Sequence, residues 1–175
     1  MKYEKTPDDL WIDEMHKKYH HLFATFEGEE TDRPYYTKGQ ILRGVECSRG
    51  WKKWIEKFLK SLEWLTENRR YIKNPDYNPD IEESRTNKQY IEGPKRELKI
   101  FQIKEKFGEI RVYMENYPED IKADIHEVIA KLEARTELTC YSCGKVEEDL
   151  IQTKGWISFI CKECFDKRNS KKEEV

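Results

Sequence analysis

Cys140-Tyr-Ser-Cys143 and Cys161-Lys-Glu-Cys164, with 17 residues between the pairs, decide how the C-terminal part of this chain folds. Each pair brings two thiolates to one metal ion across a tight knuckle turn, and the insert fits a short β-hairpin. Four sulfur ligands specify a closed tetrahedral site, the structural form of zinc, whereas a catalytic site keeps one position open for water. The expectation is one structural Zn2+ held by Cys140, Cys143, Cys161 and Cys164 in a zinc ribbon. The competing use of such pairs is a redox dithiol or a disulfide. No secretory segment opens the chain at Met1, so a reducing, cytoplasmic setting is expected, where thiolates stay available to a metal.

Working outward, a helix expected from Pro118 to about Arg135 carries Ile121, Ile125, Val128, Ile129 and Leu132 on one stripe and leads almost directly into Cys140. The metal site should therefore pack on this helix. Before it, Leu98–Ile103 and Ile110–Met114 are β-rich runs flanking a turn, Lys104-Glu-Lys-Phe-Gly108, which together predict a hairpin. From Ser48 or Gly50 to about Tyr71, the residues Trp51, Trp54, Ile55, Phe58, Leu59, Leu62 and Leu65 recur at helical spacing, a core-facing stripe of large side chains. The opposite face of that helix is basic, either a solvated surface or an anion-binding one. Thr6-Pro7-Asp8-Asp9 starts a first helix expected to reach Ala24, with Trp11, Met15, Leu22 and Phe23 on one face. Residues 27–44 are expected to be loop, with Tyr35 and Tyr36 as candidate anchors. The stretch 74–95, rich in proline and polar residues, is expected to be a flexible loop or insertion.

The predicted organisation is α+β, with helices packed on a β-hairpin and a C-terminal four-cysteine zinc ribbon. Residues 1–73 form a helical N-terminal region, 74–95 the loop, 96–136 the hairpin plus helix, 137–168 the ribbon and 169–175 a polar tail. All are expected to belong to one compact domain, since 175 residues suit one of ordinary size. No apolar run approaches the roughly 20 residues that span a bilayer. Charged residues make up 39% of the chain and hydrophobic ones 37%, yet aromatics reach 13%, so the core is built from few but large side chains. Lys plus Arg (33) nearly balances Asp plus Glu (35), which argues against indiscriminate polyanion binding and leaves room for a local basic face.

Catalytic signatures are missing. Phosphate-loop and dinucleotide glycine patterns are absent, as is a Gly-x-Ser-x-Gly nucleophile turn, and the span Cys140–Cys164 holds no His or Asn for a zinc-framed nuclease. Cys47, outside the two pairs, is either a buried structural thiol or a reactive one at a helix N-terminus. His16, His20 and His21 cluster on the first helix, as a partly exposed polar face or as a metal or acid–base pair. His126 is expected to face solvent or the helix flank. The richest candidate partner-binding surface is the hairpin: Lys104, Lys106, Phe107, Gly108, Arg111 and Tyr113 gather cations and aromatics that suit a phosphate and a base, or a protein hot spot. The same mixture also fits the wet side of an ordinary hairpin.

Glu46-Cys47-x-x-Gly50-Trp51, then Ile103-Lys-Glu-Lys-Phe-Gly-Glu-Ile-Arg-Val-Tyr113, then the paired cysteines with Gly155-Trp156 between them resemble an uncharacterised family of small zinc-ribbon proteins encoded by bacteriophages, prophages and bacteria. The resemblance covers Cys47 to Phe165 apart from the 74–94 loop. Ile110 and Val112 stand where Leu and Phe are commoner, and the first 45 residues fall outside it. It implies a zinc-bound fold in a bacterial host cell and a phage or mobile-element origin, with no established activity. The resulting expectation is a non-enzymatic accessory protein that binds a host protein, such as a defence or regulatory component. The alternatives are a nucleic-acid-binding module, or a nucleotide-ligand binder or enzyme with an aromatic pocket.

Overall fold

The computed structural model describes residues 4–29, 31–33, 35–66, 69–71, 90–92, 96–116 and 118–173, without the side chains of 69–71, 90–92 and 171–173. Within these residues the chain mixes four α-helices with three small sheets. No described helix is long and apolar enough to cross a membrane.

Helix α1 (Pro7–Lys18) begins with a capping box. The Thr6 hydroxyl accepts the Asp9 N–H at 3.2 Å, and the Asp9 carboxylate accepts the Thr6 N–H at 2.7 Å. Trp11 and Met15 form its buried face. The helix stops at Lys18 rather than Ala24. Residues His20–Leu22 tighten into a 3-10 turn, and Phe23 runs extended into a parallel bridge with Ile100. Ala24 then donates its N–H to the Ile100 carbonyl at 2.8 Å. An apolar pair whose spacing fits a helix is thus taken up at a sheet edge, because tertiary pairing outweighs local propensity. In the loop that follows, Tyr36 is the anchor, its hydroxyl donating to the Leu42 carbonyl at 2.9 Å, while Tyr35 stands exposed.

The main sheet has three strands. Strand β1 (Gly44–Glu46) pairs parallel to β4 (Lys99–Lys106), which pairs antiparallel to β5 (Glu109–Glu115). Strand β4 continues through Lys104, Glu105 and Lys106, so the turn is Phe107-Gly108 alone rather than the five residues 104–108. Both turn residues take positive φ, 57° and 83°, as the two-residue turn that follows the twist of paired strands requires.

After a 3-10 turn at Arg49–Trp51, helix α2 (Lys52–Thr66) buries Ile55, Phe58, Leu59, Leu62 and Leu65. Each fully buried side chain of this kind contributes about 1.5–3 kcal/mol. The helix ends at Thr66, short of the expected Tyr71, because Arg69–Tyr71 forms strand β2 and pairs with β3 (Tyr90–Glu92). The rest of the expected 74–95 loop lies outside the described residues.

A 3-10 turn at Glu119–Ile121 leads into helix α3 (Lys122–Glu137), which packs against α2. Ile121, Ile125 and Leu132 are buried, and Val128 and Ile129 half-buried. Beyond it, strands β6 (Ile151–Gln152) and β7 (Phe159–Ile160) pair antiparallel, and helix α4 (Lys162–Glu173) follows. The tail expected from Asn169 is therefore helical as far as Glu173. One hydrophobic cluster joins α1, β1, α2, β4, β5 and α3. A second, smaller one surrounds Cys140, Ile160 and Cys161, and Tyr141 packs against both.

Candidate metal centre

The four paired cysteines converge. Their Sγ atoms all lie within 4.8 Å of one another, and Cys143 Sγ and Cys161 Sγ are 3.7 Å apart. Zinc–sulfur bonds of about 2.3 Å in a tetrahedron place neighbouring sulfurs about 3.8 Å apart. All five cysteines are free thiols, so this donor set fits one tetrahedral metal ion, and zinc is among the ions that four sulfurs suit.

Local backbone explains the convergence. In the first knuckle the Gly144 N–H donates to the Cys140 carbonyl at 2.9 Å, and the Cys140 N–H to the Lys145 carbonyl at 2.8 Å. The second pair straddles the start of α4, where free N–H groups favour negative charge. Burial pushes the Cys140 thiol up, but hydrogen bonds from the backbone N–H groups of Cys161, Cys143 and Ser142 and from the Cys143 thiol outweigh it and bring it down to about 7. Burial, and then the hydrogen-bonding neighbours Cys143 and Cys161, push the Cys164 thiol up. Four thiolates this close repel one another, and a cation at their centre removes the conflict.

Two joints fasten this module to the core. At the first, Gly50 lies so close to the knuckle that a Cβ there would collide with the backbone of Cys140 and Tyr141. Beside it, Trp51 Nε1 donates to the Thr139 carbonyl at 3.1 Å, and its ring meets Tyr141 edge-on at 4.8 Å. Trp54 is only half-buried, and its Nε1 donates to Thr139 Oγ1 at 2.9 Å. At the second joint the buried carboxylate of Glu105 accepts the Gly108 N–H at 2.6 Å and Trp156 Nε1 at 2.7 Å. A Cβ at Gly108 would strike the Phe159 ring. None of Glu105, Thr139, Tyr141 and Trp156 is among the site residues expected from the sequence, although Glu105 and Trp156 lie in the stretches that carry the family resemblance. The signal for Glu105 was a carboxylate at a position where strand alternation calls for an apolar side chain.

The other candidates resolve separately. Cys47 is buried with Sγ 3.7 Å from the Ile103 carbonyl, and burial, aided by the charges of Glu105 and Glu46, pushes its thiol up, the opposite of an activated nucleophile. His16 is half-buried, its Nε2 accepting the Val45 N–H at 2.9 Å. His20 Nε2 is 3.0 Å from the Gly39 carbonyl, and His21 Nε2 is 3.3 Å from Glu63. His16 and His20 line one open cavity while His21 turns to Glu63, and among the described residues the three form no metal-binding group. His126 is exposed.

Among the hairpin residues, Lys104 and Arg111 are directly cross-strand, so with Lys106 and Tyr113 they share the sheet face turned away from Ile103 and Glu105. Lys104 Nζ lies 5.0 Å from the Tyr113 ring centre and Lys106 Nζ 5.6 Å from that of Phe107, while Arg111 pairs with Glu109. Gly108 belongs to the joint with Phe159, and Phe107 stands at the tip, 68% exposed. Compared with protein-family models, curated proteins and solved structures, the chain matches none.

Proposed function

We propose that this is a non-enzymatic binding protein whose Cys140, Cys143, Cys161 and Cys164 hold one structural zinc in a ribbon, and whose partner docks on the Phe107 tip and the adjoining face of Lys104, Lys106, Arg111 and Tyr113. The observation that carries the reading is Phe107: a bulky side chain held at φ 57° while 68% of it faces solvent. Left-handed backbone is unfavourable for such a residue, and Asn or Gly would fill the position at lower cost. Strain kept at an exposed aromatic flanked by lysines suits a rigid anchor presented to a partner. A host protein in a bacterial cell is the partner class in keeping with the resemblance to phage and prophage proteins. Tagged protein captured from a bacterial lysate tests this. The wild type should enrich a defined protein that Phe107→Asn and the Lys104→Glu/Lys106→Glu double variant lose, with zinc content unchanged. Equal capture by all three would refute the assignment of this face.

A further inference from the structure

A second, independent surface lies between α2 and α3, on the side of the helices that carries Trp54 and Trp64. Lys53 Nζ and Lys57 Nζ lie 4.8 and 4.9 Å from the Trp54 ring centre, and Arg135 Cζ 5.4 Å from it. Three cations thus converge on one half-buried indole. Among the described residues, neither these three nor the exposed Lys60 pairs with a carboxylate, although Lys52, Lys18 and Lys131 nearby each do. Like charges at i and i+4, as Lys53 and Lys57 are, destabilise an isolated helix. The contacts of both lysines with the Trp54 ring offset part of that repulsion.

Lys57 connects this cluster to a groove of about 530 Å³ whose wall includes Lys60, Trp64, Leu65 and Val128. Two acids, Asp124 and Glu127, also line it, and Glu127 is engaged by Lys131 at 2.5 Å. The groove therefore offers a row of cations along its α2 edge and a half-buried indole in its wall. Single-stranded nucleic acid binders combine these two elements, since phosphates follow the cations while a base stacks on an aromatic face, whatever its identity.

We infer that the α2–α3 groove binds single-stranded nucleic acid, with Lys53, Lys57, Lys60 and Arg135 contacting phosphates and Trp64 stacking on a base. The site is separate from the hairpin face and does not depend on it. A net charge of −2 for the whole chain keeps this attraction local.

The test is fluorescence anisotropy with labelled 12-nucleotide DNA and RNA strands, titrated with salt, on the zinc-loaded protein. The wild type should bind, with a log–log salt slope of about −2 to −3, since each phosphate contact on a single strand adds about −0.7. Lys57→Gln/Lys60→Gln should weaken binding at low salt at least tenfold and flatten the slope by about 1.4, two contacts' worth. Lys167→Gln/Arg168→Gln on α4 should leave both unchanged. Photocrosslinking of a 5-bromouracil strand should label the peptide that contains Trp64. No binding, a slope indifferent to the α2 variants, or a crosslink confined to other peptides would overturn the inference. Full displacement of the strand by polyglutamate with no Trp64 crosslink would overturn it too, pointing instead to an acidic protein.

Discussion

Glu105 and Trp156, 51 residues apart in the chain, meet through a 2.7 Å hydrogen bond from the indole Nε1 to the carboxylate Oε2. The other oxygen of the same carboxylate accepts the Gly108 N–H at the turn. One buried side chain thus ties the hairpin tip to the strand-to-strand connection of the cysteine module. Hydrogen bonds to a charged acceptor contribute about 1.5–3 kcal/mol each, and losing the acceptor leaves two donors unpaired. Glu105→Ala should therefore lower unfolding free energy by about 2–4 kcal/mol. A double-mutant cycle of Glu105→Gln with Trp156→Phe should show coupling of about 0.5–3 kcal/mol. Additive effects would mean the two groups act independently.

Gly50 tests the other joint. Because a methyl group there meets knuckle backbone rather than a flexible side chain, Gly50→Ala must displace Cys140 and Tyr141 or move the start of α2. The expected cost is about 1–3 kcal/mol, and transfer of zinc to a chromogenic chelator should be faster than in the wild type. Unchanged transfer would show that the module is not clamped at this point.

Much of this architecture is legible in the sequence, and the misses have physical causes. The stripes of α2 and α3 announce themselves because large apolar residues recur every three or four positions. Cys140, Cys143, Cys161 and Cys164 come together as their spacing implies. The Gly44–Glu46 strand goes unseen: it has three residues, only Val45 among them is a typical strand former, and its partner is remote in sequence. Glu105 misleads for a related reason. A charged residue in the buried row makes β4 look finished at Ile103, so Lys104 to Gly108 resembles a long turn. Gly108 has the positive φ expected of a turn glycine, and Phe159 leaves no room for a Cβ beside it. Helix α1 looks longer than it is because Leu22 and Phe23 are apolar at either helical or strand spacing.

Phe107 supplies a prediction in which stability and binding move in opposite directions. Asn tolerates left-handed backbone better than Phe does, so Phe107→Asn should stabilise the protein by about 1 kcal/mol while abolishing partner capture. Thermal melting and capture on the same preparation decide it, and a destabilised variant would show that the ring makes contacts worth more than its strain.

His16 should make the protein sensitive to mild acid. Burial lowers its pKa, with His20 adding to the effect and Asp13 opposing it, and Nε2 must be unprotonated to accept the Val45 N–H. The unfolded chain, with an ordinary value near about 6.5, then binds more protons than the folded one. The associated stability is fully present above about pH 6.5 and declines as pH falls toward the lowered folded value. The comparison is melting of wild type against His16→Gln from pH 7.5 to 5.5, which subtracts any acid effect on the cysteines. The wild type should lose stability more steeply, and parallel curves would remove His16 from the account.

Four cysteines holding one metal ion organise the C-terminal module, which the joints at Gly50 and Glu105 then fasten to the core. The most direct test is native mass spectrometry of wild type and Cys161→Ser, with thermal melting of the same samples. The account predicts one zinc per wild-type chain, no retained zinc in Cys161→Ser, and a markedly lower melting temperature for the variant, because metal binding and folding are coupled. A wild-type chain that carries no metal, or a Cys161→Ser chain that melts as the wild type does, would contradict it.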